Sequence, residues 1–173
     1  MKKGIIISGN LAQDHEFIYP YYRLLEEGIK LDVCLLEGKP VIGILGTAIP
    51  PNKDQVVKKI EEINVSDYDV LVLPGGVKAM EKVRQNKDII KFISDFDKEK
   101  KIIACICSGA QLLISAKVVK GRKIAGYYSM KDDLINAGAN YTDLPAVIDD
   151  NIITTAHYKD MGPWMREVIK KLK

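Results

Sequence analysis

The residues best suited to chemistry surround Cys107, where an apolar segment runs into small residues and then into a predicted helix. Residues 102–113 read Ile-Ile-Ala-Cys-Ile-Cys-Ser-Gly-Ala-Gln-Leu-Leu. A sharp strand-to-helix turn of this kind projects one side chain beyond the sheet edge, as in a nucleophile elbow. The dipole and free N–H groups at the helix start favour a thiolate, which is the reactive form of cysteine. The pattern therefore predicts a nucleophilic Cys107, with a small buried core residue as the structural alternative. Cys105 and Cys34 lie within predicted strands and are expected to be structural.

Two glycines at the end of another apolar strand offer backbone groups to the same edge of the sheet. Asp69–Leu73 is followed by Pro74-Gly75-Gly76. Glycine allows a backbone N–H to turn into a site, so we expect the N–H groups of Gly76 and Ser108 to form an oxyanion hole. A plain strand-ending turn explains the same motif without any chemistry.

The two histidines of the chain both lie in loops that the pattern places at this edge. His15 follows Gln13 and Asp14 after the first strand, and Asp14 is a natural helix cap. His157 follows a late strand, where it is a candidate general base with Asp160 as its orienting group. A surface histidine without a role is the alternative for His157.

Short apolar strands alternate with amphipathic helices along the chain. Predicted strands are Lys3–Ser8, Lys30–Leu36, Asp69–Leu73, Lys101–Ile106, Lys123–Tyr127, Val147–Asp149 and Ile152–Thr155. Predicted helices are Glu16–Glu27, Asp88–Lys98, Gln111–Ala116, Met130–Asn136 and Trp164–Leu172. Continuous apolar strands separated by helices predict an α/β fold, with a mostly parallel sheet covered by helices on both faces. In such folds ligands bind beyond the carboxyl ends of the strands.

The segment between Pro40 and Asp67 has the least defined pattern. Val41–Leu45 is predicted as an edge strand and Asp54–Ile63 as a surface helix. Nothing divides the sequence into parts, so residues 1–173 are expected to form a single domain.

Composition and charge restrict the partners of the protein. The 173 residues include 26 basic and 23 acidic ones, for a formal charge of +3, which leaves no electrostatic signature of nucleic-acid binding. No apolar run approaches the ~20 residues of a membrane span, so no membrane association is expected. Without an export signal the cytoplasm is the expected location. Neither a metal-ligand cluster nor a dinucleotide fingerprint is present, so no cofactor or metal is expected.

The sequence resembles the PfpI/ThiJ superfamily, also called the DJ superfamily, over nearly its whole length. The matching segments are Glu16–Gly28, Val70–Gly76, Ile106–Leu113, Lys120–Lys123, Asp132–Ala139 and Trp164–Glu167. The resemblance implies a flavodoxin-like three-layer sandwich with a strained nucleophilic cysteine, here Cys107. It also implies a homodimer or a higher homo-oligomer. The activities it implies include peptidase, glyoxalase and deglycase reactions on reactive carbonyls, besides redox sensing and chaperoning.

Several positions depart from the pattern of that superfamily. Ser108 stands where a histidine usually follows the cysteine, and Ala110 where a proline usually follows the glycine. Alignment through Tyr19-Pro20-Tyr21 places Gln13 where most members carry a glutamate beside the thiol. A glutamine can donate a hydrogen bond to a thiolate but cannot shuttle a proton, which typically costs 10²–10⁴-fold in rate. A common arginine after the late strand is Ala156 here.

These departures leave open which residue is the general base. We expect His157 to supply it, with His15 as the competing candidate. Tyr127, which matches a position near the thiol in PfpI-like relatives, is expected to line the substrate site with His15 and Gly75.

The leading hypothesis is covalent attack by Cys107 on a small carbonyl or acyl substrate, in the manner of a glyoxalase, deglycase or hydrolase. Peptidase activity ranks lower. The alternative is a non-enzymatic redox or stress protein with an oxidisable cysteine, and a third option is a pseudoenzyme or assembly protein.

Overall fold

A computed structural model describes the whole chain, from Met1 to Lys173. The strands are β1 (Lys3–Ser8), β2 (Lys30–Leu35), β3 (Val41–Ile42), β4 (Ala48–Ile49), β5 (Val57–Lys58), β6 (Val70–Leu73), β7 (Ile102–Ile106), β8 (Lys123–Ile124), β9 (Asn140–Tyr141), β10 (Val147–Asp149) and β11 (Ile152–Thr155). The α-helices are α1 (Asp14–Glu26), α2 (Val77–Val83), α3 (Lys87–Lys98), α4 (Ala110–Ser115), α5 (Lys131–Asn136) and α6 (Met161–Leu172). Short 3₁₀ turns lie at Ile60–Glu62, Val65–Asp67, Cys107–Gly109, Tyr128–Met130 and Tyr158–Asp160.

Seven strands form the central sheet in the order β10-β11-β7-β6-β1-β2-β5. All neighbours are parallel except β10, which pairs antiparallel with β11 across the tight turn at Asp150-Asn151. The inner strands β6 and β7 are buried at every residue, as strands covered on both faces must be. The predicted mostly parallel α/β sheet is confirmed.

Helices cover the sheet on both faces and divide the core in two. Apolar residues of α2, α3, α4 and α5 pack on one face. Those of α1 and α6 pack on the other face, which includes Cys107. The resulting three layers confirm the predicted sandwich, and the carboxyl ends of β1, β6, β7 and β11 meet at one edge.

The central elements were predicted well, and the short peripheral ones less so. The strand predicted at Lys123–Tyr127 is limited to β8, which pairs with β9 outside the main sheet. Helix α2 was not predicted at all. The predicted helix at Asp54–Ile63 is wrong, because Val57 pairs with Val33 as the edge strand β5 and only a 3₁₀ turn follows. The apolar residues of this segment are spaced as in a helix, but they pack a short strand against the edge of the sheet.

The hairpin β3–β4 packs over the loop that follows β1. Val41 pairs with Ile49 in this hairpin, so the predicted edge strand belongs to a separate two-stranded sheet. The buried carboxylate of Asp14 accepts the N–H groups of Leu45 at 2.7 Å and Thr47 at 3.0 Å. This contact ties the hairpin to the first turn of α1.

No helix of the structure combines the length and the apolarity needed to cross a membrane.

Candidate active site

Cys107 occupies a strained turn between β7 and α4. Its φ is +59°, in the left-handed region, while Ile106 before it is extended. A non-glycine residue in this region costs about 1–3 kcal/mol, and such strain clusters at functional sites. Gly109 is required by packing, because a Cβ there would lie 2.6 Å from the carbonyl oxygen of Leu73. The backbone therefore has the form of a nucleophile elbow.

A glutamate that the sequence analysis did not single out lies beside this cysteine. Glu16, in the first turn of α1, is fully buried, and its Oε2 accepts the N–H of Gly75 at 2.8 Å. A Cβ at Gly75 would overlap Glu16 Oε2 and would lie 3.0 Å from the Cys107 sulfur. The carboxyl and the thiol thus meet across Gly75. Glu16 Oε1 is buried and has no hydrogen-bond partner.

The environment of Glu16 favours its neutral form. Burial raises the pKa of this carboxyl to about 7, although interactions with the Cys107 side chain and the Gly75 N–H act in the opposite direction. A carboxyl that titrates near neutrality can both donate and accept a proton at physiological pH. Glu16 is therefore a candidate acid–base group.

The environment of Cys107 raises the pKa of its thiol, which acts against the thiolate that the sequence pattern favours. Burial and the adjacent Glu16 charge raise its pKa to about 12, against the opposing effects of the Ser108 N–H and hydroxyl. The expected dipole effect is weak because α4 has only six residues and follows a 3₁₀ turn. Deprotonation of this sulfur thus requires a neighbouring group to accept the proton.

The two glycines that follow β6 have different environments. Gly75 has both backbone groups engaged, with its N–H on Glu16 and its carbonyl accepting the N–H of Gln13 at 3.1 Å. Gly76 has φ +105°, and its N–H donates no hydrogen bond. The Ser108 N–H lies against the Cys107 sulfur, where it lowers the thiol pKa. The N–H groups of Gly76 and Ser108 remain the predicted oxyanion hole, whereas Gly75 positions Glu16.

Gln13 does not occupy the position that was predicted for it. Its side chain caps α1, with Oε1 accepting the N–H of His15 at 2.7 Å. The carboxyl next to the sulfur belongs to Glu16, one helical turn further along. The sequence carries a signal for this: Glu16 falls on the buried stripe of α1 with Phe17, Pro20 and Tyr21. A charged residue on an apolar stripe is rarely fully buried without a partner or a function.

His157 is placed near the site but not as an oriented base. Its Nδ1 accepts the N–H of Lys159 at 3.1 Å, which puts the proton of the neutral ring on Nε2. Asp160 contacts it only through a backbone hydrogen bond, from the Asp160 N–H to the His157 carbonyl. The predicted His157–Asp160 orienting pair is therefore absent.

An aromatic row links the two halves of the site. The Tyr127 N–H donates to the Cys107 carbonyl at 3.1 Å, which places Tyr127 beside the elbow. The ring centroids of Tyr127 and His157 are 6.2 Å apart, and those of His157 and Tyr158 are 4.0 Å apart. The ring centroids of Tyr158 and His15 are 5.5 Å apart. His15 is exposed, so it borders the site rather than reaching the sulfur.

Known proteins resemble this chain over nearly its whole length. A model of the DJ-1/PfpI family matches residues 2–171. The chain belongs to the DJ-1/PfpI family. Among its relatives in this family is the protein named deglycase PfpI of Pyrococcus furiosus, which is 40% identical over 171 residues, 99% of each chain. The DJ-1β crystal structure of Drosophila melanogaster superposes with a TM-score of 0.88 at 26% identity, covering 99% of this chain and 90% of that one.

A further DJ-1/PfpI relative bears on the expected partners. The protein named protein/nucleic acid deglycase 2 of Escherichia coli is 32% identical over 175 residues, covering 99% of this chain and 98% of its own. Its name includes nucleic acid among its substrates. A formal charge of +3 disfavours stable binding of nucleic acid but does not exclude a nucleotide as a substrate.

Proposed function

We propose that this chain is a deglycase-type enzyme in which Cys107 is the nucleophile and Glu16 is the acid–base group. The observation that carries the proposal is the meeting of the Cys107 thiol and a buried carboxyl across Gly75. A thiol with a raised pKa needs a base within reach, and Glu16 is the ionisable group that contacts it. The deglycase names of relatives that share nearly the whole chain support the reaction class.

The proposed reaction starts from an adduct of an amine and an α-oxoaldehyde, R–NH–CH(OH)–CO–CH₃. The sulfur of Cys107 bonds to the carbinol carbon while its proton passes to Glu16. The C–N bond breaks, and Glu16 returns that proton to the departing amine. The free amine and a thiohemiacetal on Cys107 result.

Glu16 then works a second time as a carboxylate. It removes the proton from the carbon that bears sulfur and delivers it to the neighbouring carbonyl carbon. The hydroxyl proton passes to the oxygen of that carbonyl, so that the first carbon is oxidised to a thioester and the second is reduced to an alcohol. The product is a thioester of lactic acid, and water hydrolyses it to lactate and the free thiol. The sum is adduct plus water to amine plus lactic acid, with no external oxidant. The N–H groups of Gly76 and Ser108 would stabilise the oxyanions.

Glu16 thereby takes the part that the sequence analysis gave to His157. The redox-sensing alternative is less well supported, because oxidation proceeds through the thiolate, and burial disfavours that form of Cys107.

The test is release of amine and lactate from a methylglyoxal–amine adduct by purified protein. Cys107→Ser should abolish turnover, and Glu16→Gln should lower it by about 10²–10⁴-fold. Glu26→Gln, on the exposed side of the same helix, and Cys34→Ala, at a buried thiol away from the elbow, are the matched controls. Turnover that survives Cys107→Ser, or none in the wild type beside clean peroxide oxidation of Cys107, would reject the enzyme.

A further inference from the structure

Ser8, the last residue of β1, carries a buried hydroxyl without a hydrogen-bond partner. The residue is 0% exposed, and its Oγ is unpartnered. Alternation along the strand places Ser8 on the same face as Ile6, and Leu35, its partner in β2, packs on that face too. This is the face covered by α1 and α6, where Cys107 also lies. A buried hydroxyl without a partner is costly, so this atom requires a hydrogen-bonding group at the carboxyl edge of β1.

The register of the sheet brings Ser8 beside the carboxyl of Glu16. Strands β1 and β6 are parallel neighbours, and their register, followed two residues beyond Ile6, places Ser8 level with Pro74. The next residue, Gly75, donates its N–H to Glu16 Oε2 at 2.8 Å. Neighbouring strands lie about 4.8 Å apart. The Ser8 hydroxyl and the Glu16 carboxyl therefore belong to adjacent strand ends on one face of the sheet.

Glu16 offers a second oxygen that has no partner. Its Oε2 accepts the Gly75 N–H, whereas Oε1 is buried and unpartnered. One water can join two oxygens that are up to about 5.6 Å apart, since each O–H···O bond spans about 2.8 Å. The spacing of adjacent strands is within this reach. A hydroxyl, which donates or accepts, and a carboxylate, which accepts, are suitable partners for a single water.

We propose that Ser8 Oγ and Glu16 Oε1 together hold one water, and that this water hydrolyses the thioester on Cys107. The inference rests on the proposed function and assigns a place to its last reactant. The water oxygen bonds to the thioester carbon while a water proton passes to the Glu16 carboxylate. The C–S bond of the tetrahedral intermediate then breaks, and Glu16 returns that proton to the sulfur. Lactic acid and the free thiol result, and Ser8 is a positioning residue that acts through the water.

Ser8→Ala tests this role by removing a single oxygen atom. Hydrolysis of the thioester should then limit turnover, so we expect kcat for the adduct to fall about tenfold or more, and KM to fall with it. The lactoyl thioester should accumulate on Cys107 and be visible in the intact mass. Ser8→Thr, which keeps the hydroxyl, should restore most of the rate. A fall in kcat with unchanged KM and no acyl-enzyme would overturn the inference.

Thr155 provides a matched control on another strand of the same sheet. Its hydroxyl is also fully buried and unpartnered, but it lies on β11, which is separated from β6 by β7. Thr155→Val should therefore leave hydrolysis of the acyl-enzyme unchanged. Accumulation of the thioester in Thr155→Val but not in Ser8→Ala would overturn the assignment of the water to Ser8.

Two measurements separate this inference from the proposed function, because neither requires adduct turnover. Acetylation by 4-nitrophenyl acetate forms a thioester on Cys107, and its hydrolysis should be slower in Ser8→Ala than in the wild type by about tenfold or more. A high-resolution crystal structure should show a water within hydrogen-bond distance of both Ser8 Oγ and Glu16 Oε1. Equal deacetylation rates, or a well-ordered site without water between the two oxygens, would overturn the inference. Deacetylation that depends on Ser8 in a protein without adduct turnover would support the water site and reject only the proposed reaction.

Discussion

Glu16 Oε2 and the Cys107 sulfur lie on either side of Gly75. Any side chain at position 75 would occupy the space in which the two groups meet. The carboxyl reaches this point from the first turn of α1 and accepts the Gly75 N–H, while the sulfur reaches it from the strained turn after β7. Three segments that are distant in sequence thus place a carboxyl, a thiol and the backbone N–H that holds the carboxyl at one edge of the sheet. The site depends on their separation as much as on their identity.

Gly75→Ala tests whether the site depends on the distance between Glu16 Oε2 and the Cys107 sulfur. The added Cβ would overlap Glu16 Oε2 and lie 2.8 Å from the Cys107 Cβ, so one of the two groups must move. Since misplacing a reacting group by about 1 Å can cost 10²-fold, we expect a loss of about that size in kcat/KM for adduct hydrolysis. Gly162→Ala is the control, because no atom lies within 4 Å of a Cβ there. Wild-type kinetics in Gly75→Ala would show that the two groups do not work together.

Glu16 should also give the protein a characteristic dependence of stability on pH. Its pKa is raised to about 7 in the folded state, above the ordinary value of 4.5, so the folded protein holds this proton more tightly than the unfolded chain. The free energy of unfolding should therefore fall as pH rises from about 4.5 to 7, by on the order of 3 kcal/mol from this group. Urea unfolding at pH 5 and pH 8 measures the change.

Other groups titrate in the same pH range, so the contribution of Glu16 is the difference in pH dependence between the wild type and Glu16→Gln. Glu16→Gln should lose this part of the pH dependence, while Glu26→Gln should keep it. Equal pH dependence in the wild type and Glu16→Gln would mean that the carboxyl is ionised across the whole range.

The sequence predicted the fold more completely than the site. Continuous apolar runs such as Val70–Leu73 and Ile102–Ile106 have one physical explanation, burial on both faces, so the sheet and the elbow could be located. The partner of Cys107 could not be found by counting along the loop, because a shift of one helical turn separates Gln13 from Glu16. Only the folded structure distinguishes them, because it buries Glu16 and leaves Gln13 half-buried at the N-cap of α1.

The electrostatics of the site could not be predicted from local pattern either. A helix start beside a cysteine favours the thiolate, but burial and Glu16 act more strongly in the opposite direction. The same holds for His157, whose tautomer is set by the Lys159 N–H. These effects depend on distances that only the folded chain defines.

Asp14 should be important for stability rather than for chemistry. Its carboxylate holds Leu45 and Thr47 of the hairpin loop against the start of α1. Asp14→Ala would leave two N–H groups without their acceptor, at a cost of about 1–3 kcal/mol in the free energy of unfolding. Amide hydrogen exchange should become faster at Leu45 and Thr47 before it does in the central sheet. Asp54→Ala, at an exposed carboxylate nearby, should change neither property.

Removal of the Glu16 charge should make Cys107 more reactive toward alkylation even as it lowers turnover. Burial and the Glu16 carboxylate both raise the thiol pKa to about 12, and Glu16→Gln removes the second cause while leaving the first. Iodoacetamide reacts with the thiolate, so at pH 8, above the pKa of Glu16, the variant should be alkylated about tenfold faster than the wild type. Intact-mass measurement with time gives both rates, and Cys107→Ser identifies the modified position. At pH 5, where Glu16 is protonated in the wild type, the two rates should converge. A variant that is alkylated more slowly at pH 8 would instead show that the carboxyl stabilises the thiolate, and that proton transfer from sulfur precedes substrate attack.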